Sequence, residues 1–205
     1  MKLKLGLPAA ALLASGLAVV VTLKEAPSVK AQAQAQAIIN AHPDAFKESS
    51  SDYLRSIIGL RLAPVQLNIG NRNPMLVGLG AYLVNQAGGC NDCHTNPSFA
   101  SGHNPYLGQP KQINTEGYLA GGHPFPADNG ETVMPPNITP DDKGRPHGLN
   151  FRQFELALRY GRDPGNPGRI LQVMPWPNFQ DLTDRDVRAI YEYLSSIPSV
   201  PGGPQ

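Results

Sequence analysis

The stretch Cys90-Asn91-Asp92-Cys93-His94 constrains this chain more than any other. C-x-x-C-H is the attachment signature of c-type haem. Two thiols three residues apart on a helical turn point the same way, so each can form a thioether to one porphyrin edge. The next residue, an imidazole, is carried under the ring, where it can bind iron. Other chemistries fit less well. A redox C-x-x-C is expected within a βαβ pattern, and none is visible around it. A zinc site needs two further ligands, and the chain has no other Cys. A structural disulfide across three residues would not call for the His.

A chain of 205 residues is read as one domain with tails. Glycine and proline, 21 each, predict long loops, while a hydrophobic fraction of 40% still suffices for a core. The N-terminus reads as an export signal. Lys2 and Lys4 precede an apolar run from Leu5 to Leu23, and Ala31-Gln32-Ala33 is a small-x-small cleavage site that repeats twice more by Ala37. The competing reading is a retained anchor, because the run would just span a bilayer. Cleavage after Ala33 removes four lysines and one glutamate, leaving thirteen basic and fifteen acidic residues, a net charge of −2. That balance argues against nucleic-acid binding. Residues 1–33 are thus expected to be a signal peptide or membrane anchor, with the domain in the periplasm or on the outer face of the cytoplasmic membrane.

Residues 34–73 read as a solvated tether with one short helix. Asp52 caps that helix, Tyr53, Leu54, Ile57 and Ile58 line it, and Gly59 to Asn73 continue as an extended link. Pro74 opens the next helix. Leu76, Leu79, Leu83 and Gln86 share one face, and Gly78 and Gly80 predict close approach of another helix. Gly88-Gly89 ends it and delivers Cys90. Thr95 to Val133 is expected to be a long loop wrapped on the haem edge or serving as a docking surface, with short strands near Gln112–Asn114. Asn150 and Gln153 form a capping box for a helix that Gly161 stops. Thr183 caps the last helix, whose Val187, Ile190, Tyr191 and Leu194 are spaced for one buried face. It should cross the Pro74–Ala87 helix with Tyr191 near the glycines. Residues 74–198 are the expected haem domain and 199–205 a tail.

The second iron ligand has several candidates. Met174 precedes Pro175, which keeps it out of the helical region, and spacing alone leaves it either a ligand or a core filler. Met134 also precedes a proline. Met75 is expected in the core. His103, His123 and His147 lie in loops, and His42 in the tether. Trp176 can donate its indole N–H to a haem propionate or pack on the haem edge. Asn137, in the turn Asn137 to Asp141, is a second candidate haem-edge contact. Arg145, Arg159, Arg162 and Arg169 are either propionate partners or solvated surface residues.

The segments Gly78-x-Gly80-x-Tyr82-Leu83, Cys90-x-x-Cys93-His94, Pro136-Asn137-Ile138-Thr139-Pro140-Asp141, Met174-Pro175-Trp176 and Leu182-Thr183-Asp184 leading into Ala189-Ile190-Tyr191-x-Tyr193-Leu194 together resemble class I monohaem cytochrome c domains. They are similar in particular to the cytochrome subunits of membrane-associated bacterial dehydrogenases. The resemblance covers about residues 74 to 198. It implies a mostly α fold, with cytochrome c-like helices wrapped around one covalent haem and long Gly/Pro-rich loops. It also implies thioethers at Cys90 and Cys93, His94 as proximal ligand and Met174 as distal ligand. The chain departs from those subunits in having one haem motif where they have several. The expected role is single-electron transfer between redox donor and acceptor proteins, with no catalytic acid–base pair. The rivals are a haem enzyme or gas sensor with an open sixth site, and the electron-entry subunit of a dehydrogenase.

Overall fold

The computed structural model describes residues 29–43, 50–127 and 129–201. The apolar run from Leu5 to Leu23 lies outside the described residues. Among the described residues no helix is long and apolar enough to cross a membrane. Residues 34–41, expected to be solvated tether, are instead helical, whereas the short helix expected after them is present but begins at Ser50, which puts Asp52 in its first turn rather than at its cap. Helix α1 spans Val29–Ala41 and α2 spans Ser50–Leu62. Ala35 is fully buried, and Gln34 Nε2 donates to Leu67 O at 3.4 Å. The Ala-Gln repeat misled because its buried face is made by one small residue, Ala35, continued by Ile38 and Ile39 beyond the repeat. α2 also runs past Gly59, which pattern reading had placed in an extended link.

Helix α3 spans Pro74–Tyr82, and Asn73 caps it by accepting from Met75 N at 2.9 Å. Pattern reading expected one buried face. In fact Met75, Val77, Leu79 and Ala81 are all buried, because α3 is gripped from two sides. The glycines make this possible. A methyl group on Gly78 would lie 2.5 Å from Ser56 O of α2, and one on Gly59 would lie 2.0 Å from Gly78 O. On the other side a methyl group on Gly80 would lie 1.9 Å from Ala189 O of α6, which spans Asp184–Leu194. The residue of α6 whose side chain meets Gly80 is Tyr193, 2.7 Å from that methyl position at Cβ, rather than the expected Tyr191. Tyr191, two residues earlier, lies about 200° round the helix. It packs edge-on against Phe151 and Phe154 and donates to Leu149 O at 3.0 Å.

Helix α4 is the short Cys90–His94 turn, and α5 spans Phe151–Tyr160. The Asn150–Gln153 capping box and the Thr183 cap on α6 form as their sequences predict. The sheet is small: β1, Phe125–Pro126, pairs antiparallel with β2, Thr132–Val133. The strand expected near Gln112–Asn114 is reduced to a single antiparallel bridge between Phe99 and Ile113.

Candidate haem site

The attachment turn is fixed from before and after. Ahead of it, Leu83–Ala87 forms a π-helical turn closed by Gly88 N donating to Leu83 O at 2.6 Å. The wider turn carries Asn85 inward, to 4% exposure. There its Nδ2 donates to Ala81 O at 2.9 Å and to Tyr193 Oη at 3.1 Å, while Oδ1 accepts from Tyr118 Oη at 2.5 Å. Tyr193 O–H closes the ring by donating to Tyr118 Oη at 3.0 Å. Every donor in the ring has an acceptor, as burial requires. Burial, above all, raises both phenols, Tyr193 to about 12 and Tyr118 well above its ordinary value. Both therefore stay protonated and keep donating. The ring ties the π-turn, the loop and α6 together beside Cys90.

After the turn, the long loop returns to it. Leu119 N donates to Thr95 Oγ1 at 3.0 Å, and Gly121 N to His94 O at 2.7 Å. The next segment then reaches His94 itself, whose Nδ1–H donates to Pro136 O at 2.8 Å. That bond fixes the tautomer and leaves Nε2 as a lone-pair donor. Burial, more than any other cause, lowers the His94 pKa, and the Pro136 bond only partly opposes it. The imidazole is therefore neutral at pH 7, as a metal ligand must be.

Cys90 and Cys93 are free, half-buried thiols on the same turn. Burial pushes Cys90 up to about 12 and also raises Cys93. A dithiol redox centre needs depressed thiol pKa values, so this turn is a poor one. Beside it lies a cavity of about 230 Å³, lined by Leu83, Ala87, Gly88, Pro175, Phe179 and Ile190 among others. It joins the approach to Cys90 with the segment that follows Met174. Two thiols and a tautomer-fixed imidazole on one turn fit a covalently held haem, and the cavity beside them offers apolar lining to one side of it.

Met174 is half-buried against the core, whereas Met134 is 48% exposed. The Met174 loop is pinned at Trp176. The indole packs on Gly161, where a methyl group would lie 2.4 Å from Nε1, and Nε1 donates to Leu171 O at 3.1 Å. The indole N–H expected to be free for a propionate is thus spent on this loop. Asn137 is likewise spent, on its own segment and on the C-terminal stretch. Its Oδ1 accepts from Thr139 N and Oγ1 at 2.8 and 2.7 Å, and its Nδ2 donates to Val200 O at 2.7 Å. It shapes the stretch that presents Pro136 O rather than offering its amide elsewhere.

Among the loop histidines, His147 Nδ1–H donates to Asn137 O at 2.8 Å, on the Pro136 side of His94. His123 stacks on Phe125, and His103 is half-buried with Nδ1 unpaired. The arginines divide. Arg159 is buried and donates to Gln180 O, Leu182 O and Asp184, so it is neither a surface residue nor available to a propionate. Arg145 pairs with Asp141 and Arg169 with Asp163, and Arg162 is exposed. Sequence reasoning missed the Asn85–Tyr118–Tyr193 ring and the Pro136 carbonyl. An Asn inside an otherwise apolar helical run was the one available sign of the ring.

No protein-family model matches the chain. No solved structure matches it. The chain is 30% identical over 144 residues to the gluconate 2-dehydrogenase cytochrome c subunit of Pantoea cypripedii, covering 69% of this chain and 28% of that protein. It is 30% identical over 139 residues to the fructose dehydrogenase cytochrome subunit of Gluconobacter japonicus, covering 66% and 24%. A diheme cytochrome c-type protein of Cereibacter sphaeroides is 29% identical over 112 residues, covering 55% and 33%. The chain spans about a quarter to a third of the length of these relatives. The resemblance implied by its motifs is therefore found in the sequences: over about two thirds of its length the chain is similar to the cytochrome c subunits of dehydrogenases.

Proposed function

We propose that the chain is an exported electron carrier that holds one haem c through Cys90 and Cys93, with His94 as proximal and Met174 as distal iron ligand. When bound, the haem supplies a one-electron iron couple. The protein's part is to hold that couple in place and tune it. The observation that carries the reading is the Nδ1–H bond from His94 to Pro136 O, on the same turn that presents two free thiols. A carbonyl accepting from Nδ1–H orients a ligating imidazole and raises the basicity of its Nε2. The half-buried place of Met174 against the core and the exposure of Met134 favour the former as the distal ligand. Trp176, packed on Gly161, fixes the loop that would present the Met174 thioether.

The likeness to dehydrogenase cytochrome subunits favours a second, compatible reading, in which the donor is a dehydrogenase that this chain serves as electron-entry subunit. The location would be the periplasm or the outer face of the cytoplasmic membrane.

The optical spectrum of the purified protein, ferric and ferrous, with and without carbon monoxide, tests the proposal. Low-spin bands, the weak near-infrared band of thioether-to-ferric-iron ligation, and no rapid carbon monoxide shift are expected. Met174→Ala should lose the near-infrared band and Met134→Ala should keep it. His94→Ala should lose the low-spin spectrum altogether. A high-spin wild-type protein that binds carbon monoxide at once would instead establish an open sixth site, and with it the enzyme or sensor reading.

A further inference from the structure

Helix α2 has an outer face that nothing covers among the described residues. Leu54, Ile58 and Leu62 recur every fourth residue and are 57%, 41% and 37% exposed. Residues at that spacing form one stripe along a helix. Arg55 borders the stripe on one side and Arg61 on the other. The only acidic residue of α2 is Asp52. It is already engaged by two guanidinium groups, those of Arg55 and Arg185, the latter at 3.2 Å. On α2 itself Arg55 and Arg61 stand against the single carboxylate of Asp52, which leaves the helix net positive.

We infer that this face of α2 rests on an anionic lipid surface, with Leu54, Ile58 and Leu62 entering the headgroup region and Arg55 and Arg61 meeting lipid phosphates. Aliphatic residues flanked by arginine on one helix face are the chemistry of an interfacial helix. Leucine is under-represented in protein-binding hot spots, and this stripe holds two leucines and no aromatic residue. The covalent chain points the same way. The apolar run ends at Leu23, six residues before α1 begins at Val29, and α1 packs on α2. Six residues reach at most roughly 20 Å. A bilayer that holds the run therefore has α1 and α2 as its nearest folded elements. Three aliphatic side chains give weak binding alone, and a second attachment makes it persistent. The proposed cleavage sites at 31–37 lie inside α1, where Ala35 is buried, so the fold draws on residues that cleavage there would remove or leave at a frayed end. The inference stands on α2 and does not depend on the electron-carrier reading.

The test uses the full-length, haem-loaded chain carrying Ile58→Cys labelled with a bimane fluorophore. A second label at Tyr160→Cys, on the exposed end of α5, is the control. The chain with neither added cysteine, labelled in parallel, gives the background from Cys90 and Cys93, so the reading does not hinge on their being occupied. With vesicles of phosphatidylcholine and phosphatidylglycerol, the Ile58 label should shift to shorter wavelength. A headgroup-level nitroxide lipid should quench it several-fold more than the Tyr160 label. Arg61→Glu, or vesicles of phosphatidylcholine alone, should reduce that difference at least two-fold. An Ile58 label as wet as the control on lipid overturns the proposal. So does an Ile58 label already dry before lipid is added, which would mean that protein covers the stripe. Quenching that is equal on neutral vesicles overturns the role given to the arginines.

Discussion

At the scale of single residues, close contact decides more than propensity does. Replacing Gly80 by Ala should gain about 1 kcal/mol of helix propensity. It would also place a methyl group 1.9 Å from Ala189 O, and backbone cannot move aside as a flexible side chain would. Overpacking of that kind costs typically 1–3 kcal/mol or more. Urea titration of the haem-loaded protein should therefore show a net loss of about 2 kcal/mol, and a neutral or stabilised Gly80→Ala would show that α6 is not seated as described. The buried ring makes a separate prediction. Tyr193→Phe removes the acceptor of one Asn85 N–H and leaves that donor dry, a loss of about 1–3 kcal/mol. Tyr118→Phe deprives Asn85 Oδ1 of its donor, for a cost of similar order. Because the two hydroxyls share one ring, their effects should be non-additive in a double-mutant cycle. Strict additivity would mean that the ring does not act as a unit.

At the scale of elements, capping was legible and depth was not. Asn150 with Gln153 and Thr183 with Asp186 announce their helices because a cap is a local bargain between one side chain and one or two amides. The Met174 loop depends on a contact that spacing does not announce. Gly161 combines a left-handed backbone, φ +60°, with a face on which the Trp176 indole lies. Gly161→Ala should therefore strain the turn and push the indole off it. The expected result is early loss of thioether ligation on warming, read from the near-infrared band, while the far-ultraviolet helix signal persists. Simultaneous loss of both signals would show that the loop is not an independent element.

At the scale of the whole molecule, titration bounds the pH range of stability from both ends. Asp141 is held below its ordinary 3.8, chiefly by its bond from the Arg145 side chain. At Asp163 burial works upward, but the Arg169 side chain and the Gly165 and Asn166 amides outweigh it and hold that carboxyl low as well. Their contribution is present above about pH 4 and is lost as acid takes the pH down through the folded values. At the alkaline end the sign reverses. Tyr118 and Tyr193 are raised by burial, so above pH 10 the unfolded chain sheds phenolic protons that the folded chain keeps. Stability should fall there by up to about 1.4 kcal/mol per pH unit for each phenol. Ultraviolet titration should show tyrosinate from these two only as the protein unfolds. Reversible tyrosinate from all seven tyrosines with the fold intact would contradict the buried ring.

The sequence by itself determined the haem-attachment turn, the capped helices and the resemblance to cytochrome c domains. Each of these rests on residues a few positions apart, whose relative placement a single helical turn already sets. Tertiary structure decided the rest. It made helix α1 from a repeat read as a tether, because Ala35 finds a buried contact. It turned Tyr193 rather than Tyr191 toward Gly80, because helix crossing sets which of two opposed faces meets α3. It drew Asn85, Tyr118 and Tyr193 into one ring across 108 residues, and it aimed the His94 imidazole at a carbonyl 42 residues away. Contacts of that range leave no periodicity behind. They exist only once packing has removed water and each buried polar group must find a partner inside the protein.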